Sequence, residues 1–148
     1  MTQNFTGHST YALDNKGRLT ISAKYRTRLS GRVFVARGFG GDICLQIFPE
    51  ERWYRLAERV NSLPLGDPRG RLYRRKIMAW ASECELDRQG RIMIPENLRQ
   101  FAHLDGEVVI TGVGDFLEIW NPRLWQEMNE ETEGEFASIV EQLAGEGI

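Results

Sequence analysis

The stretch Asp14-Asn15-Lys16-Gly17-Arg18-Leu19-Thr20-Ile21 returns 73 residues later as Asp87-Arg88-Gln89-Gly90-Arg91-Ile92-Met93-Ile94. Over sixteen aligned positions starting at Asp14 and Asp87, five residues are identical, the last being Arg26 with Arg99. Typical residue usage gives roughly one such match. A repeat constrains the fold before any other feature does, because each unit must bury its apolar face against something. Here each unit has about 45 residues, near the limit at which a chain alone can offset its ordering entropy by burial. The two units are therefore expected to interlock.

The echo continues downstream. Val33-Phe34-Val35 corresponds to Val108-Val109-Ile110, and Leu45-Gln46-Ile47-Phe48 to Leu117-Glu118-Ile119-Trp120. A proline follows each second run, Pro49 and Pro122, with Trp53 and Trp125 after it; proline opens a helix without loss of a hydrogen bond. Each half thus reads strand, turn, strand, short helix, strand, turn, strand, helix. Leu19 and Ile21 alternate with Arg18 and Thr20, and Ile92 and Ile94 with Arg91 and Met93, which gives each strand one core face and one wet face. Between the halves, Trp53, Leu56, Ala57 and Val60 form a helical stripe, and Gly66-Asp67-Pro68 breaks it. A second helix is expected from Arg69 to Trp80, with its five cations on the polar side and Leu72, Tyr73, Ile77 and Trp80 inward. Gly38-Phe39-Gly40-Gly41 lacks the Lys-Ser or Lys-Thr and the helix of a phosphate cradle, and reads as a hairpin loop.

These patterns give a mainly β chain with flanking helices, an α+β fold. Paired hairpins of both repeats are expected to form a small barrel-like core. The divisions are a first repeat over residues 5–53, a helical connector over 54–80, a second repeat over 81–125 and an acidic C-terminal helix over 126–148. The chain has 148 residues and a formal charge of −2. That total conceals a division: residues 1–80 hold 15 Lys and Arg against 6 acids, while residues 81–148 hold 4 against 15. Such polarity suits an anionic partner for one half, or mutual neutralisation across an interface.

Several classes are disfavoured. The longest apolar runs fall far short of the about 20 residues a membrane span needs. The polar start from Met1 to Thr10 has neither the basic nor the apolar region of a signal peptide, so a cytoplasmic protein is expected. Cys44, Cys84, His8 and His103 are scattered singly, which argues against a metal site or a disulfide framework. Cys44 reads as a small buried hydrophobe and His103 as a structural residue at a helix end. No nucleophile stands in a recognisable setting with a base, and the carboxylates cluster in turns and tail, so no catalytic residues and no cofactor are expected.

In the repeated turn, glycine accepts the positive φ, while Asp can hold the turn backbone or pair with the Arg four positions on. A local ion pair would by itself account for the motif. Alternatively, Arg18 and Arg91 stand on wet strand faces, where a planar donor fork matches guanine edges and phosphates, and a two-stranded ribbon fits the major groove of DNA. The Arg69 to Lys76 helix allows a similar choice between tracking a DNA backbone and pairing with the acidic half of a neighbouring subunit. Phe136, Ile139, Val140 and Leu143, at helical spacing in the acidic tail, are expected to dock on their own chain or on a neighbour.

Leu13-Asp14-Asn15-Lys16-Gly17-Arg18-Leu19, Lys24-Tyr25-Arg26 and Ala81-Ser82-Glu83-Cys84-Glu85-Leu86-Asp87-Arg88-Gln89-Gly90-Arg91-Ile92 closely resemble the MraZ transcriptional regulators, and the resemblance spans nearly the whole chain. It implies two tandem swapped-hairpin repeats of the AbrB type, a pseudo-dimeric double-split barrel, and ring-shaped homo-oligomers. It further implies binding to double-stranded DNA carrying short tandem repeats, in the promoter of the bacterial division and cell-wall cluster, and hence a cytoplasmic, nucleoid-associated regulator. In the family the Asp-x-x-x-Arg motifs contact DNA, which carries over here to Asp14 with Arg18 and Asp87 with Arg91. Lys16 and Arg88, within the two loops, are expected to add phosphate contacts. The sequence departs from the common pattern at Ser22, where many relatives have proline, and at Gln89. The rival reading is an oligomeric protein-binding scaffold with incidental DNA affinity, which would keep DNA binding after loss of both arginines.

Overall fold

The computed structural model describes residues 4–148; Met1 to Gln3 of the polar start lie outside the described residues. The first repeat runs β1 (His8–Ala12), β2 (Arg18–Thr20), α1 (Ala23–Arg26), β3 (Arg32–Arg37), β4 (Leu45–Pro49) and α2 (Glu50–Asn61). After α3 (Pro68–Met78), the second runs β5 (Ser82–Glu85), β6 (Arg91–Met93), α4 (Glu96–Phe101), β7 (Glu107–Gly112), β8 (Leu117–Trp120) and α5 (Pro122–Ala144). The element order expected for each half is found in both.

Six strands form one antiparallel sheet in the order β1-β7-β8-β4-β3-β5, and β2 pairs with β6 in a separate two-stranded ribbon. Exchanging the corresponding strands of the two repeats turns this order into its own reverse. The central pair obeys the same exchange, with Gln46 opposite Glu118 and Leu45 opposite Ile119. So does the ribbon, where Leu19 faces Ile92. The halves are joined through these shared pairs, β1 with β7, β5 with β3, β4 with β8 and β2 with β6. The six-stranded sheet itself stays open, with β1 and β5 at its edges.

Strand alternation explains how the layers stack. Val33, Val35, Leu45, Ile47, Val108, Ile110, Leu117 and Ile119 turn to one face, where they meet Leu19, Ile21, Ile92 and Ile94 of the ribbon region in the main core. Phe34, Ala36 and Phe48 turn to the other face and are covered by Trp53 of α2 and Ile77 of α3. The Phe34 and Trp53 rings stack at 5.2 Å. Under α5, Val109 and Trp120 of the second repeat take the corresponding place, together with Cys44 of the first, packed against Leu124, Trp125 and Met128. Strands buried on both faces need continuous apolar sequence, which β3 and β7 supply.

The connector differs in detail from its sequence reading. Asp67 caps α3, its Oδ1 accepting from the Arg69 amide at 2.9 Å, and the helix ends at Met78, two residues before Trp80. Ile77 is buried, but Leu72 and Tyr73 are 53% and 43% exposed. A single helix facing a sheet buries a narrow stripe, and on α3 Gly70 and Ile77 occupy it. His103 is exposed and takes φ 54, the left-handed turn that ends α4. The Gly38–Gly41 loop joins β3 to β4, as expected for a hairpin.

Candidate functional site

The two Asp-x-x-x-Arg segments fold into matching turns. Asp14 Oδ1 accepts from the amides of Lys16 and Arg18, both at 2.9 Å, and Asp14 Oδ2 takes the Arg18 Nε–H at 2.6 Å. Asp87 does the same, with the Gln89 and Arg91 amides at 2.9 Å and Arg91 Nε at 2.8 Å. Each turn is closed by a glycine amide donating to the aspartate carbonyl, at 3.1 Å for Gly17 and 2.9 Å for Gly90. Those glycines take φ 80 and 75, a conformation unfavourable for side-chain-bearing L-residues.

This arrangement fixes each guanidinium by one edge. An arginine has five N–H donors; the aspartate takes the one on Nε, and the Nη groups of Arg18 and Arg91 have no hydrogen-bond partner among the described residues. On the ribbon Arg18 lies opposite Met93 and Thr20 opposite Arg91. All four alternate with the buried Leu19 and Ile92. The arginines therefore share the outer face on opposite strands, offset by roughly 7 Å along the strand direction. Lys16 and Arg88 are exposed at the tips of the two turns, without an ion-pair partner among the described residues.

A pair of residues that the sequence singled out only as a repeated identity completes the site. Arg99 lies over the Gly17 turn, where a Cβ on Gly17 would stand 2.7 Å from its guanidinium, and Arg26 lies likewise over Gly90. Arg99 Nε donates to the Ile94 carbonyl at 2.9 Å, and Arg26 Nη1 to the Gln89 carbonyl at 3.3 Å. Reciprocal backbone bonds tie each turn to the strand beside it: the Ile21 amide to Gly90 O at 2.9 Å and the Ile94 amide to Gly17 O at 3.0 Å. Each turn is thus braced by the opposite repeat. The sequence signal was the recurrence of arginine twelve positions after the aspartate, with nothing to indicate the turn it covers.

Electrostatics keeps the clamps ionised. The Arg18 amide, followed by the Arg18 side chain and the Lys16 amide, holds the Asp14 carboxyl down at about 2; the equivalent bonds led by the Arg91 amide lower Asp87. A carboxylate that accepts several N–H bonds is stabilised in its charged form. Elsewhere, burial pushes the Cys44 and Cys84 thiols up, so neither is an activated nucleophile. Among the described residues, no three His, Cys, Asp or Glu side chains converge as a metal site would require.

Fold and site together define a duplicated α+β protein that displays two aspartate-clamped arginines from one ribbon. A family model described as "MraZ protein, putative antitoxin-like" matches it twice, over residues 4–76 and 77–146. Three similar proteins bear the name "Transcriptional regulator MraZ". One from Thermomicrobium roseum is 42% identical over 140 residues, covering 95% of this chain and 97% of its own. One from Desulfitobacterium hafniense strain Y51 is 39% identical over 144 residues, covering 97% and 99%. One from Lactiplantibacillus plantarum is 44% identical over 139 residues, covering 94% and 97%. The chain belongs to the MraZ family, a family of transcriptional regulators and not of enzymes.

Proposed function

We propose that this chain is a sequence-specific DNA-binding transcriptional regulator in which Arg18 and Arg91 read base edges and Lys16 and Arg88 contact phosphates. The observation that carries this reading is the clamp: each arginine is held by Nε while its Nη groups have no hydrogen-bond partner among the described residues, on the face of a two-stranded ribbon away from the core. A ribbon of this width enters the major groove, where an arginine fork matches guanine O6 and N7. Asp14 and Asp87 orient the forks and so belong to the same site. The pairing of strands between repeats supports a swapped-hairpin pseudo-dimer of the AbrB type, with the β2–β6 ribbon and the open sheet as the parts of a double-split barrel. By resemblance, the DNA is a set of short tandem repeats in the promoter of the bacterial division and cell-wall cluster, bound by a ring-shaped homo-oligomer at the nucleoid. Several subunits on spaced repeats would combine weak contacts through effective concentration.

The test is a fluorescence anisotropy titration, at near-physiological salt, of the duplex upstream of this protein's own reading frame against a shuffled duplex of equal composition. Preference for the native duplex, lost when its tandem repeats are deleted, is the expected result. Equal binding of both duplexes would remove base reading from the account. Replacing Lys16 or Arg88 by alanine should weaken both duplexes alike and reduce the slope of log K against log salt by about 1 each.

A further inference from the structure

Helix α5 carries a surface that its own chain does not cover. Its first turns pack through Leu124, Trp125 and Met128, but every residue from Asn129 to Ile148 is exposed. A helix of 23 residues is about 35 Å long, so its distal turns stand clear of the sheet. On them Phe136, Ile139, Val140 and Leu143 are between 39% and 64% exposed and share one face at i, i+3, i+4 and i+7. The segment from Gln126 onward contains seven glutamates and no lysine or arginine.

The complementary surface lies on the first half of the same chain. Between the β3–β4 loop and α3 is a groove of about 570 Å³ lined by Phe39, Leu72 and Tyr73; its charged groups are Arg37, Arg69, Lys76 and Asp42, with Arg69 paired to Asp67 at 3.0 Å, which leaves a basic excess. Helix α3 has five cations and no acid, and Arg74, Arg75 and Lys76 have no ion-pair partner among the described residues. An apolar trough with a basic rim fits an acidic amphipathic helix in both shape and charge.

We propose that the distal half of α5 docks into the α3 groove of a second copy of this chain. Two tails packed on each other would bring fourteen glutamates together, seven from each copy, whereas tail against α3 opposes unlike charges. Because the joined surfaces differ, the contact closes either as a reciprocal exchange between two copies or head-to-tail, passing from copy to copy until a ring closes. The inference deepens the homo-oligomer part of the proposed function and names its interface.

Two one-sided variants of the full chain test it: Ile139→Asp with Val140→Asp on the tail, and Leu72→Asp with Lys76→Glu on the groove. Masses are read by size-exclusion chromatography with light scattering. Wild type should exceed the 17.0 kDa of one chain, each variant should run as a monomer, and their equimolar mixture should give a dimer and nothing larger, since one intact interface remains. A groove variant that still assembles, a mixture that stays monomeric, or a wild type at 17.0 kDa would overturn the proposal. A cooperative thermal melt verifies that each variant monomer is folded, loss of assembly by itself lowering the midpoint; a variant without a cooperative melt is replaced by serine at the same positions. Both variants keep the Asp–Arg turns, so the monomers should still prefer native over shuffled duplex; loss of that preference in assembled wild type would count against the DNA reading alone.

Discussion

Ser22 stands where the second repeat has Pro95, immediately before the short helix of each half. Its φ and ψ of −64 and 156 nearly match the −57 and 148 of Pro95. Its hydroxyl is buried without a partner, and its amide donates no bond to a described residue. A proline there would fit the backbone, remove the unpaired hydroxyl and restrict the unfolded chain. Ser22→Pro should stabilise the protein by about 0.4–1 kcal/mol, read as a higher urea midpoint with unchanged slope. Asp14 gives a second residue-level expectation. Its folded-state pKa of about 2 lies below the ordinary 3.8, so its contribution is fully present above pH 3.8 and is lost as pH falls through that interval. Carbon-13 titration of the side-chain carboxyl should find its midpoint near 2, and Asp14→Asn should flatten the acid limb of the stability curve.

At the scale of elements, the ribbon depends on turns that tolerate no side chain. Gly17→Ala would impose a strained φ, costing about 1–2 kcal/mol, and would also press on Arg99. The melting temperature should fall, by roughly 2–4 °C for each kcal/mol. Adding Arg99→Ala should recover part of the loss, because the two positions share one contact. The strands, the turn glycines and the outward arginines were all legible in the sequence, since they follow from alternation and from repetition at 73 residues. Which strands pair was not: a period of two assigns faces but names no partner. The same limit applies to Arg26 and Arg99, whose role depends on a turn distant in sequence. For α3 the apolar positions outnumber those its packing can bury, so the pattern assigns Leu72 and Tyr73 inward while the fold leaves both exposed.

For the whole molecule, the charge division acquires a spatial meaning. The cations of α3 and the glutamates of α5 lie on separate surfaces of one chain, and the clamped arginines lie on a third. Under the proposed function and interface, the chain assembles through the first two and presents the third to DNA. Salt should therefore weaken operator binding steeply, because phosphate contacts release counterions. The central claim is that the Arg18 and Arg91 forks, and not merely their charge, carry sequence preference. The most direct measurement is the ratio of affinities for native and shuffled duplex in Arg18→Lys with Arg91→Lys, which keeps both charges but removes the planar fork. Near-unchanged affinity for shuffled DNA is expected, with a native preference reduced by about 1–3 kcal/mol for each base pair read. A double-lysine variant that retains the full wild-type preference would contradict that claim.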